Sequence, residues 1–127
     1  MEEDAIKKMH VGPIHSDVAG RTDHLPISVA AGSYVIPADI VSSLGEGNTM
    51  AGFRDLNDMF GEQQIDPNDQ PVEVVVAGGE FIISPQTVTE IGAGDMDKGH
   101  DELDKFVILA RKELVKTLKE LPGPRRD

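Results

Sequence analysis

Short, β-rich apolar runs mark two stretches of this chain, and apolar residues recur at helical spacing after each one. Ile27-Ser28-Val29 runs into Ala30-Ala31-Gly32, and Tyr34-Val35-Ile36 follows. Val74-Val75-Val76 runs into Ala77-Gly78-Gly79, and Phe81-Ile82-Ile83 follows. Two β-rich runs joined by a short glycine turn predict a β-hairpin in each place. A short helix is expected next. Ser84 is placed to cap the second one, with Pro85 at its first position, where a missing N–H costs nothing. Pro37 and Asp39 give the first a looser start. A further helix follows each, capped by Asn48-Thr49 or Asp95. The first carries Phe53, Leu56 and Phe60 on one side and is short. The second is predicted from about Lys98 to Leu121, on the three- and four-residue steps of Leu103, Phe106, Val107, Ala110, Leu114, Leu118 and Leu121. Pro122-Gly123-Pro124 ends it.

These two patterns are one pattern used twice. Residues 31–52 align without a gap on residues 78–99, an offset of 47. Gly32, Ile36, Val41, Gly45, Gly47 and Gly52 meet Gly79, Ile83, Val88, Gly92, Gly94 and Gly99, and Tyr34 meets Phe81. A tandem duplication of a hairpin-helix-helix unit follows. Gly32, Gly45, Gly47, Gly79, Gly92 and Gly94 are read as structural turns. Gly45 and Gly92 are expected at positive φ, as helix stops in the left-handed region. Because a lone hairpin is marginal in water, the two units should pack about a pseudo-two-fold axis as one α+β domain. The predicted organisation is an extended arm at 1–22, a domain at 23–121 made of unit 1 (27–60) and unit 2 (74–121), and a tail at 122–127. Residues 61–71 link the units.

Composition narrows the function. The 127 residues include no Cys and no Trp, so thiolate metal sites and disulfides are excluded and the core rests on Val, Ile and Leu. Residues 1–99 carry 5 Lys and Arg against 17 Asp and Glu, and residues 100–127 carry 7 against 6. An acidic body lacks the clustered cations that bind a phosphate backbone. The longest apolar runs are too short for a membrane span.

Motifs that carry chemistry are weak. Gly45-Glu46-Gly47-Asn48-Thr49 has glycines but lacks the lysine of a phosphate loop. Asp95, Asp97, Gly99 and Glu102 miss the spacing of a calcium loop. His10, His15, Asp17, Asp23 and His24 are the nearest thing to a metal cluster, but their histidines stand five and nine apart, unlike paired zinc ligands. No cofactor, metal or catalytic residue is expected. An interface is expected instead. The apolar arm residues Val11, Pro13, Ile14 and Val18, and the helix residues Leu114, Leu118 and Leu121, exceed what so small a domain can bury.

The stretch GRTDHLPISVAAGSYVIPADIVSSLGEGNTMAG resembles a segment found in proteins of tailed-bacteriophage genomes described as virion structural proteins. The resemblance continues through VVVAGGEFIISPQTV, GAGDMDKGHDELDKF and KTLKELPGP, from about Gly12 to Arg125. It implies a non-enzymatic virion protein, assembled in the host cytoplasm, with a capsid accessory or minor capsid role. Its partners would be copies of itself and other capsid or neck subunits, as a homo-oligomer, with no sequence-specific nucleic acid and no membrane. The alternatives are a head-tail neck or connector component, a small binding module outside the virion, or a metal hydrolase using the His10–His24 region.

Overall fold

The structure is a computed structural model, and it describes residues 9–15 and 25–120, with side chains to residue 113. The chain runs β1 (Gly12–Pro13), β2 (Leu25–Ala30), β3 (Tyr34–Ile36), α1 (Ala38–Leu44), α2 (Thr49–Phe60), β4 (Pro71–Val76), β5 (Phe81–Ile83), α3 (Pro85–Ile91) and α4 (Met96–Glu120). The fold is α+β, with a long C-terminal helix.

The duplication is visible element by element. β3, α1 and the first residue of α2 recur 47 residues later as β5, α3 and the first residue of α4. Capping follows the side chains available. Ser84 accepts from the Thr87 N–H at the start of α3, Asn48 from Ala51 at α2, and Asp95 from Lys98 at α4 (3.2 Å). Pro37 has no side-chain oxygen and provides no such bond to α1.

The strand pairing differs from the hairpins expected. Within each unit the two strands belong to different sheets: β2 pairs with β4, and β3 pairs with β5. Residues 31–33 and 78–80 are therefore corners that carry the chain from one sheet to the other. Gly32 and Gly79 adopt φ of 93° and 97° there. Both ladders are antiparallel and join repeat equivalents at their centres, Ile27 opposite Val74 and Val35 opposite Ile82. A pseudo-two-fold axis passes through both points. The corners obey it as well. Space beside Gly32 is filled by Met96 and Pro85, and space beside Gly79 by Thr49 and Ala38, their equivalents.

The glycine stops also differ in detail. Gly45 and Gly92 have φ of −92° and −88°, and the left-handed residues are the next ones, Glu46 and Ala93, both at φ 57°. Gly47 N–H then donates to the Ser42 carbonyl and Glu46 N–H to Ser43, with Gly94 to Thr89 and Ala93 to Glu90 in the second unit. This is a Schellman ending in which the glycine occupies the C-cap and its successor takes the left-handed turn. Crowding explains the glycine. A Cβ at Gly45 would run into the Asn48 carbonyl and the Gly52 N–H, and one at Gly92 into Asp95 and Gly99. Gly52 and Gly99 in turn press against the Val41 and Val88 carbonyls. The two helices of each unit thus cross backbone to backbone.

The main core lies between the helix pairs and the β3–β5 ladder, with Ile36, Ile40, Leu56, Phe81, Ile83 and Val88 fully buried. Burying each such side chain stabilises by roughly 1.5–3 kcal/mol. A second cluster, Ile14, Val29, Val76 and Ile82, fills the space between the sheets. Its first member corrects an expectation. Residues 9–15 lie along the chain's own sheets: Gly12 pairs with Ile82, Pro13 with Phe81, and Met9 bridges to Ser28. Ile14 is only 5 % exposed, in its own core, so it is not free for another chain.

Candidate interaction surface

The core consumes only part of α4's apolar surface. Leu103 and Val107 are buried beneath it, while Phe106 and Ala110 pack at the margin of the core. Ile108 and Leu109 are 53 % and 61 % exposed.

The rotation of α4 that produces this is set by a row of polar contacts to unit 1. The His100 Nε2 meets the Gly32 carbonyl at 3.0 Å, and its ring lies 5.6 Å from that of Tyr34. The Tyr34 hydroxyl donates to Asp104 Oδ1 at 2.7 Å. Burial, the bond to Asp104 and that carboxylate's charge push the Tyr34 phenol well above its ordinary pKa, so it stays protonated. Two turns further on, Arg111 forks onto Asp39 through Nε (3.1 Å) and Nη2 (3.0 Å). That hydrogen-bonded guanidinium holds the Asp39 carboxyl below its usual range. The Tyr34–His100 contact has an apolar image across the pseudo-axis, Phe81 against Phe53 at 6.4 Å. The two units differ here, with aromatic packing in one and polar anchoring in the other.

With α4 so fixed, Leu109 faces the end of α1 across an open groove of about 690 Å³. Leu44, Phe106, Leu109 and Ala110 form its apolar floor and walls, and Glu46 and Glu113 its acidic rim. Glu46 reaches that rim because the left-handed turn after α1 carries it there.

The expected interface residues fall as follows. Val11 and Pro13 are half-buried against the chain's own sheets. Val18 and Leu121 lie outside the described residues, as do the side chains of Leu114 and Leu118. Ile108 and Leu109 on the same helix carry the most exposed apolar side chains among its described residues, and Leu109 stands outside the stripe because three of its neighbours at helical spacing, Lys105, Lys112 and Glu113, are charged. Of the histidine region, His10 is exposed, His15 stacks edge-on against Phe53 at 5.3 Å, and Asp17, Asp23 and His24 lie outside the described residues. Among the described residues no three His, Asp or Glu are grouped to hold a metal ion, and no helix is long and apolar enough to cross a membrane.

No family model, curated protein or solved structure matches the chain.

Proposed function

We propose that this chain is a non-enzymatic structural protein of a tailed-bacteriophage particle, a capsid accessory or minor capsid protein that acts by packing against copies of itself and neighbouring virion subunits. The observation that carries the interaction role is the ridge of α4, where Leu109 stands 61 % exposed beside an apolar groove. Large exposed apolar side chains grouped beside a concave apolar surface mark protein contacts. The placement in a phage particle rests on the sequence resemblance between Gly12 and Arg125.

Mass spectrometry of purified particles tests the placement, and the chain should be found there in fixed stoichiometry. Its absence from particles, with the protein abundant in the lysate, would sink the reading. Leu109→Glu tests the surface. It should keep the chain folded and exclude it from the particle.

A further inference from the structure

The pseudo-two-fold axis relates two strand edges that are treated differently. On one side, residues 9–15 bind as a strap across both sheets. His10 N–H donates to the Ser28 carbonyl, Ile14 N–H donates to the Glu80 carbonyl, and Gly79 N–H donates to the Ile14 carbonyl, each at 2.8 Å. Gly12, at φ 84°, pairs with Ile82 between them. On the other side the equivalents of Ser28, Gly79, Glu80 and Ile82 are Val75, Gly32, Ser33 and Val35.

The register of the ladders shows where those groups point. In an antiparallel pair, alternate residues turn their N–H and C=O away from the partner strand. The Ser28 carbonyl faces His10, so Val75, two residues along from the residue opposite Ser28, also faces outward from the β2–β4 pair. Pro26 and Pro71, which lack an N–H, occupy outward positions of the same ladder. Ile82 faces β1, so Val35, opposite it, turns its backbone groups away from β5. Among the described residues no hydrogen bond reaches Gly32 N–H, the Ser33 carbonyl or these Val35 and Val75 groups. The side chains agree. Ile82 is fully buried under the strap, whereas Val35 is half-buried and Val75 is 64 % exposed.

We infer that the edge formed by Val75 on β4 and Gly32–Val35 on β3 is a strand-acceptor slot. Its occupant is an extended segment of a partner protein with the chemistry of the strap: a glycine able to take positive φ, then proline, then an aliphatic residue to fill the place equivalent to that of Ile14. The strap itself is the argument for this occupant. It shows which backbone groups and which side chain satisfy this geometry on the related side, and it is already engaged there. β-Strand addition of this kind takes affinity from main-chain bonds and specificity from the buried side chain. The inference deepens the interaction role proposed above and rests on it, but its test needs no particle.

The probe is the capped heptapeptide Met9–His15, added to the full-length protein and followed by amide chemical shifts and hydrogen exchange. Saturable binding is expected, with protection appearing at Gly32 and Val35. Val75→Pro in the protein, or Asp in place of the peptide's isoleucine, should weaken it at least tenfold. Three results would overturn the proposal. The first is no shift at Gly32 and Val35 at millimolar peptide. The second is shifts confined to Gly79 and Ile82, which means that the peptide merely replaces the strap. The third is protection of Gly32 and Val35 that grows with protein concentration alone, which assigns the slot to a second copy. Particle proteomics, in contrast, reads the virion placement alone.

Discussion

Val35 and Ile82 occupy the same position in their two units and also lie opposite each other across the β3–β5 ladder. Only a residue on the symmetry axis can do both. Ile82 is fully buried, and Ile82→Val should cost about 0.5–1.5 kcal/mol. Adding Val35→Ile conserves the total volume at the axis, so the exchanged pair should recover part of that loss. Urea unfolding of the four proteins in the cycle measures the coupling. Strict additivity would mean that the two side chains do not share one space.

Ala93 is a non-glycine residue in the left-handed region, a conformation that costs an L-residue roughly 1–2 kcal/mol. Glycine removes that cost but adds about 0.5–1 kcal/mol of unfolded-state entropy. Ala93→Gly should therefore be neutral to stabilising, by up to about 1 kcal/mol. Thermal unfolding checks it. A clear fall in Tm would show that the turn is not strained.

The opposite holds for the glycines that touch backbone. A methyl group at Gly99 meets the Val88 carbonyl, and one at Gly92 meets the Asp95 carbonyl. Neither neighbour is the end of a flexible side chain, so the helices must separate. Gly99→Ala should destabilise by about 2–3 kcal/mol, in the range of overpacked cores, despite alanine's better helix propensity. Chemical denaturation with an unchanged m-value is the expected form of the loss.

Asp39 and Arg111 give the structure one pH-dependent contact between α1 and α4. The carboxyl's pKa is lowered in the folded state, chiefly by its hydrogen bonds to Arg111. Folding is therefore favoured wherever the unfolded chain would also be ionised, above about pH 4. The benefit fades as pH falls through the lowered folded value. Asp39→Asn should be less stable than the parent at pH 7 and equal to it near pH 2. Equal stability at both would leave the contact without consequence, as many exposed ion pairs are.

The helices and caps could be read from the sequence because they depend on neighbours in the chain: Ser84 with Pro85, Asp95 with Lys98, and the α4 stripe. The strand partners could not. Ala31-Gly32-Ser33 serves equally as a hairpin turn or as a corner between sheets, and the choice is made by β4 and β5, some 47 residues away. Gly45 and Gly92 were legible as helix ends, but not the reason for them. The reason is a carbonyl three residues on and a helix crossing that only the fold creates. Ile14 showed no periodicity because the strand before it is two residues long, and its burial comes from a sheet built by later residues. The anchoring of α4 joins Tyr34 to Asp104 and Asp39 to Arg111. These pairs stand about 70 residues apart, and no local signal links them.

The trans pairing of the two units has a consequence for how the protein is made. As the chain emerges from the ribosome, β2 and β3 have no ladder to join until the equivalent strands of the second unit are synthesised. At about 5–20 residues per second, that interval is roughly 2–10 seconds. Throughout it Val29, Val35 and Ile36 lack the partner strands that pair with them in the finished chain. Slower synthesis across the Gly61–Pro71 link lengthens that interval, and with it the time in which a strand of another copy can compete for β2 and β3.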